Sequence, residues 1–211
     1  MVAELLMGPQ SPTDPGRGGA KDGSGWDVSG WVRWLEGLRG NYERRMNVMC
    51  KILDEGRYQV RSGRRRSLGQ DHAEWSVVEK VKMFDFVWPV GGMFVWLKLN
   101  LESHPLHRKV ENQRLARALW ILWTTKPFLV LASPGTIFAP TEEIREKSAW
   151  GFFRLCFAAC DEEELAPISR RLVDGFTAFW RIKDVKEIDA LLDDGAKEVE
   201  ERCLGSLAGP C

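Results

Sequence analysis

The strongest constraint on the fold is an apolar, alternating stretch that carries one arginine. Residues 151–158 read Gly-Phe-Phe-Arg-Leu-Cys-Phe-Ala. Successive side chains of a β-strand point to opposite faces of the sheet. One face of this predicted strand therefore carries Phe153, Leu155 and Phe157, and the other carries Phe152, Arg154 and Cys156. If the first face packs on helices, Arg154 lies on the open face of the sheet.

Arg154 permits two interpretations. A guanidinium in an apolar strand is costly unless it reaches water or an anion. It can be a strand-edge arginine that extends to water or pairs with a neighbouring Asp or Glu. It can also be a rigidly placed group that binds a ligand carboxylate through two parallel hydrogen bonds. Arg154 is thus the candidate substrate-binding residue, and the strand pattern alone leaves both interpretations open.

Composition narrows the class of partner. Of the 211 residues 44% are hydrophobic, and the 30 basic residues equal the 30 acidic ones. Balanced charge gives no reason to expect nucleic acid or an anionic membrane as partner. The arginine-rich segment from Arg57 to Gln70 is interpreted as a solvated surface loop rather than a phosphate-binding patch. With no secretory signal and no run of about 18 apolar residues, a cytoplasmic protein is expected.

Cysteine and histidine usage does not indicate a metal site. The five cysteines form no Cys-x-x-Cys pair, and Cys156 and Cys160 are predicted to be buried thiols in a reducing compartment. The three histidines, His72, His104 and His107, lie in polar stretches without a completing cluster of cysteines or carboxylates. No metal-binding residue is therefore predicted.

Hydrophobic periodicity predicts the order of elements. Residues 8–25 are rich in Gly, Pro and Ser and indicate a flexible linker. A long amphipathic helix is predicted from Ser29 to Glu55, ended by Gly56 in a left-handed conformation. The remaining predicted elements are strands at 78–86, 93–101, 128–131 and 152–158, helices at 110–125, from about Pro167 to Trp180 and from Asp184, and a loop at 136–149. Asp161 and Glu164 match a capping box.

This order predicts a two-layer α+β fold. Strands and helices do not alternate regularly, since two pairs of strands are consecutive in the chain. We therefore expect a mixed sheet with helices on one face.

Four segments in order resemble a known family. They are Gly37–Met46 (Gly-Leu-Arg-Gly-Asn-Tyr-Glu-Arg-Arg-Met), Gly91–Leu97 (Gly-Gly-Met-Phe-Val-Trp-Leu), Ala132–Phe138 (Ala-Ser-Pro-Gly-Thr-Ile-Phe) and Phe153–Ala158 (Phe-Arg-Leu-Cys-Phe-Ala). Together they resemble the C-terminal part of class I/II aminotransferases of fold type I, which depend on pyridoxal phosphate. The branch most similar is that of the fungal aromatic-amino-acid and 2-aminoadipate enzymes.

The resemblance implies a domain organisation and a role for Arg154. Residues 26–183 are expected to be the small domain, preceded by the end of a helix and a linker at 1–25 and followed by a helix and tail at 184–211. In the family, the arginine of the last motif binds the α-carboxylate of the amino acid, so Arg154 is expected to bind the amino-acid or 2-oxo-acid substrate. The cofactor implied is pyridoxal phosphate, and a homodimer is expected.

The sequence also departs from the family. The Schiff-base lysine normally follows a serine by three residues, and none of the eleven lysines here does so. The large domain that carries this lysine is expected to be absent, and no catalytic or cofactor-binding residue is predicted. The expectation is a truncated transferase, related to aromatic amino acid metabolism and biosynthesis, that is inactive as an isolated chain. The alternative is a non-catalytic interaction module that pairs with a full-length homologue.

Overall fold

The computed structural model describes residues 29–64 and 76–195, without the side chains of residues 61–64 and 76–78. The predicted linker at 8–25, and Arg65 and Arg66 of the basic segment, lie outside the described residues. Two compact units divide the chain, Met1–Arg45 and Met46–Cys211. No helix in the described residues is both long and apolar enough to cross a bilayer.

The long amphipathic helix is confirmed as α1, Ser29–Gly56. Its last turns bury Met49, Cys50 and Leu53 in the second unit. The left-handed conformation predicted for Gly56 is wrong, because Gly92 is the glycine with positive φ among the described residues. A Cβ atom on Gly56 would lie 2.4 Å from Cγ1 of Val173, so close packing excludes a side chain there.

A small antiparallel sheet follows α1. Strand β1 (Tyr58–Arg64) pairs with β2 (Ser76–Lys82) over their full lengths. The surface loop predicted from Arg57 onward is therefore wrong for residues 58–64. The partner strand lies beyond residues 65–75 in sequence, and such non-local pairing leaves no local signal.

The central sheet has four strands. They are β3 (Phe84–Phe86), β4 (Phe94–Leu99), β5 (Ser133–Pro134) and β6 (Phe152–Cys156), in the order β3-β4-β6-β5. The α+β class is confirmed. The predicted mixed pairing is wrong, because each of the three pairs is antiparallel. The single strand predicted at 78–86 is divided at Met83 between the two sheets.

Two longer helices cover one face of the central sheet. They are α2 (Asn112–Thr124) and α4 (Glu162–Phe179). Ring contacts join the layers: Trp123 of α2 meets Phe153 of β6 at 5.1 Å, and Phe176 of α4 stacks on Phe84 of β3 at 4.2 Å between centroids. The prediction of helices on one face is confirmed.

The remaining elements differ from expectation in their bounds. Residues 128–131 form a turn and extended chain instead of a strand, and Leu129 has a φ of 48°. The segment predicted as a loop contains a 3₁₀ turn, Gly135–Phe138, and α3, Glu142–Lys147. Residues 185–195 form α5.

Helix α4 starts earlier than Pro167, which lies inside it. Its N-cap residue, Asp161, makes no side-chain capping hydrogen bond, so the predicted capping box does not form. Glu162, Glu163 and Glu164 in the first turn still suit the positive end of the helix dipole, which accounts for the start without a capping bond.

Candidate functional site

Arg154 lies on the face of the sheet that the helices leave open. Within β6 the buried residues are Phe153 and Leu155, and the half-buried ones are Phe152, Arg154 and Cys156. Across the strand pair Arg154 faces Trp96 of β4, whose side chain is 46% exposed. The placement of Arg154 predicted from alternation is therefore confirmed.

Two aromatic rings lie against the guanidinium of Arg154. The carbon at its centre lies 4.2 Å from the centroid of Phe94 and 4.0 Å from that of Phe138. Phe94 belongs to β4, and Phe138 ends the 3₁₀ turn that follows β5. Cation–π attraction of this kind is worth about 0.5–2 kcal/mol per contact, depending on exposure. Arg154 is thus held at a fixed place without an ion pair.

An acidic partner for Arg154 is absent from the described part of the chain, where no Asp or Glu oxygen lies within 4.0 Å of its guanidinium. Of the first interpretation, pairing with a neighbouring carboxylate is not formed in residues 29–64 and 76–195, whereas extension of the half-buried Arg154 toward water remains open. The N–H groups along the edge of the guanidinium are what the protein offers to an anion.

Asp85, an acid on the same sheet face as Arg154, pairs with other basic side chains. Asp85 of β3 accepts hydrogen bonds from Lys82 at 2.5 Å and from Arg57 at 3.0 Å, and Arg57 also pairs with Asp54. The hydrogen bond from Lys82, more than any other contact, holds the pKa of the Asp85 carboxyl below its ordinary value. Asp85 therefore belongs to a surface ion cluster that joins α1 to the strands.

Cysteines and histidines of the described residues do not cluster with acidic residues as metal ligands would. No group of three potential metal-ligating residues occurs among the described residues. Cys156 and Cys160 are half-buried instead of buried as predicted, whereas Cys50 is fully buried. Burial, followed by the charge of Asp54, raises the pKa of the Cys50 thiol to about 11, so it remains protonated at neutral pH.

Comparison with known proteins shows which class of protein the chain is similar to. No family model matches the sequence. An 88-residue part, 42% of the chain, is 29% identical to L-tyrosine:2-oxoglutarate aminotransferase amt1 of Serpula lacrymans. The resemblance to aminotransferases predicted from the four motifs is confirmed, and the chain is similar to a part of such an enzyme.

Two solved structures show the same fold. The aminotransferase Aro9 of Candida albicans, solved with ligands, superposes on 72% of this chain with a TM-score of 0.50 and 26% identity. Aro8 from the same organism superposes on 74% with a TM-score of 0.52 and 21% identity. The chain spans 27–29% of the length of these two structures and 13% of the length of amt1. A C-terminal fragment is consistent with this coverage.

The described residues do not by themselves fit pyridoxal phosphate. That cofactor needs an amine for its imine, donors around its phosphate and an acid beside its ring nitrogen. The amine of the open face is Lys98 of β4, which lacks the predicted serine context, and the acid, Asp85, is taken up by Lys82 and Arg57. No reaction step follows from the described residues alone.

The sequence pattern named Arg154 as the candidate residue but did not indicate the two aromatic rings beside it. Phe94 and Phe138 both stand inside the quoted motifs, yet nothing local marks them as neighbours of an arginine. The register of β4 against β6 places Phe94 opposite Cys156, two residues after Arg154. Phe138 arrives through the pairing of β5 with β6, which sets Ser133 opposite Arg154.

Proposed function

We propose that this chain supplies the substrate-carboxylate site of an aminotransferase, with Arg154 as the carboxylate-binding residue. The observation that carries the proposal is the guanidinium in contact with two aromatic rings on an open sheet face. Such a group is placed before the ligand arrives, so little side-chain entropy is lost on binding. A planar fork of N–H donors then matches the two oxygens of a carboxylate.

In transamination, one carboxylate-binding arginine can bind both the amino acid and the 2-oxo acid. The amino acid that enters and the 2-oxo acid that leaves both carry an α-carboxylate. A single arginine can therefore orient the donor and the acceptor in the same way, and the reacting α-carbon stays at one distance from it. We propose an aromatic or 2-aminoadipate-like amino acid as substrate. Trp96 adds exposed aromatic surface beside Arg154 and supports the aromatic alternative, whereas the 2-aminoadipate-like alternative rests on the resemblance to that branch of aminotransferases.

Binding by Arg154 is tested with 3-phenylpropionate, a carboxylate without an amino group. Arg154→Lys is expected to weaken binding about tenfold or more, because lysine cannot make the bidentate contact. The matched control is Arg145→Lys, at an exposed arginine on α3 that pairs with Glu142. Titration of the full chain followed by NMR gives both affinities. Equal affinities of Arg154→Lys and the unaltered protein would contradict the proposal.

Pyridoxal phosphate would supply the electron sink for the reaction when bound, and the rest of the enzyme would hold it. We therefore propose that the isolated chain is inactive. With added pyridoxal phosphate, L-tyrosine and 2-oxoglutarate, the 211-residue chain is expected to form no 2-oxo acid above the rate without protein. Sustained, protein-dependent turnover in that assay is the contrary result.

The second candidate function is a non-catalytic interaction module that pairs with another copy or with a full-length homologue. The observation that favours it lies in the first unit, where Trp31 and Trp34 of α1 are 38% and 52% exposed. Their rings lie 5.1 Å apart and form an apolar pair on the helix surface. Size-exclusion chromatography of the preparation used for the activity assay distinguishes the candidates, since a clean monomer argues against obligate self-pairing.

A further inference from the structure

The rings beside Arg154 restrict the direction from which an anion can approach. A guanidinium is planar, with π-faces above and below and N–H donors around its edge. Phe94 covers one side and Phe138 lies at a similar distance, 4.2 and 4.0 Å from the central carbon to the ring centroids. Because the N–H donors lie around the edge, a ligand that hydrogen-bonds to the guanidinium does so near its plane and beside these rings.

From this geometry we propose that Phe94 and Phe138 are specificity-determining positioning residues, which make Arg154 select planar carboxylates over tetrahedral anions. The proposal rests on the proposed function, because it assumes that Arg154 binds the anion. Both oxygens of a carboxylate fit in the guanidinium plane. A sulfonate or phosphonate has a third oxygen that must leave this plane and move toward a ring. Aromatic faces carry the negative part of the quadrupole, so that oxygen is disfavoured.

The position of Phe138 is enforced by backbone packing. The turn that carries it begins at Gly135, where a Cβ atom would lie 2.5 Å from the carbonyl oxygen of Ala149 and 3.0 Å from that of Phe152. Contact this close fixes the turn against the start of β6. Trp96 then meets Phe138 edge-on, with 5.6 Å between ring centroids. Phe138 is therefore supported from the backbone side and from the open face.

Phe94 is held by the register of the sheet. It belongs to β4 and faces Cys156, the residue two positions after Arg154 and on the same face of β6. Its ring needs to cover only the distance of one diagonal neighbour to reach Arg154, a reach typical of aromatic side chains. The two rings thus come from separate elements, and each is fixed independently of the other.

The test compares two anions that share a phenylethyl group and one negative charge, 3-phenylpropionate and 2-phenylethanesulfonate. Binding to the full chain is followed on the Nε–H NMR signal of Arg154, assigned by its loss in Arg154→Lys. We expect the carboxylate to bind about tenfold more tightly, a ratio within what one cation–π geometry can provide. Phe138→Leu, which keeps apolar volume but removes the ring, should bring the ratio close to one. Phe138→Tyr should restore it.

The ligand-free protein provides a second readout. Ring currents from Phe94 and Phe138 should shift the Nε–H proton of Arg154, and Phe138→Leu should reduce that shift while leaving the far-UV circular dichroism unchanged. A merely structural role of Phe138 would alter stability without altering the anion ratio.

The outcomes separate this inference from the proposed function. If Arg154→Lys abolishes carboxylate binding while Phe138→Leu leaves the anion ratio and the ring-current shift unchanged, the inference is overturned and the proposed function stands. If Arg154→Lys binds the carboxylate as well as the unaltered chain, the proposed function fails. Binding of neither anion by the unaltered chain overturns both.

Discussion

Replacing Trp123 with alanine is expected to lower the free energy of unfolding by about 3–5 kcal/mol. Trp123 is fully buried between the helices and the sheet, with the rings of Phe153 and Phe176 at 5.1 and 4.8 Å. Its indole N–H donates to the carbonyl oxygen of Leu172 at 3.2 Å. The substitution therefore leaves a large cavity in the layer that supports β6 and removes the additional hydrogen bond to the Leu172 carbonyl, which still accepts its helical N–H.

The chain offers a matched control for this prediction. Trp96→Ala removes the same side chain from the open face, where it is 46% exposed, and should cost about 1 kcal/mol or less. Urea unfolding followed by far-UV circular dichroism measures both without relying on tryptophan fluorescence. Similar losses for the two variants would show that the core does not lie on the Trp123 side of the sheet.

The second large effect is expected for His104→Leu. His104 is buried, its Nδ1 accepts a hydrogen bond from the backbone N–H of Leu106, and its Nε2 donates to the carbonyl oxygen of Phe179. Leucine leaves the backbone N–H of Leu106 unpaired in the interior and removes one of two donors from the carbonyl oxygen of Phe179, which keeps the N–H of Ile182. The expected cost is about 1–3 kcal/mol. It also removes ring contacts with Phe179 and Trp180 at 4.8 and 5.3 Å.

His107→Leu is the control for this second prediction. His107 is half-buried, and leucine there should change stability by about 0.5 kcal/mol or less. The same unfolding measurement applies to both variants. A loss for His107→Leu as large as that for His104→Leu would contradict the assignment of His104 as the connection between the loop at 104–106 and the end of α4.

The position of Arg154 could be predicted from sequence, because it follows from the alternation of buried and open residues along one strand. Alternation in 152–158 placed Arg154 opposite Phe153 and Leu155, because a strand with one buried face has a strongly specified register. The spacing of apolar residues likewise predicted α1 and α2, since a helix that buries one stripe must repeat its apolar positions at intervals of three and four.

Elements that depend on distant partners could not be predicted. The apolar run 128–131 resembles a strand, yet the strand that pairs with the side of β6 away from β4 is Ser133–Pro134. Proline is tolerated there because β5 is the edge of the sheet. Phe138 reaches Arg154 through that same pairing, so no local pattern could have marked it as part of the site.

The alternation of β6 means that the position of a residue in this strand determines which face of the sheet its side chain occupies. Inserting or deleting one residue between Phe152 and Arg154 would turn the guanidinium toward Trp123 and expose two core side chains, because a one-residue slip exchanges the faces of a strand. Inserting two would restore the face but displace Arg154 by about 7 Å along the sheet, away from Phe138. Descendants of this sequence can therefore exchange residues along β6 while keeping the function we propose, but they cannot change its length.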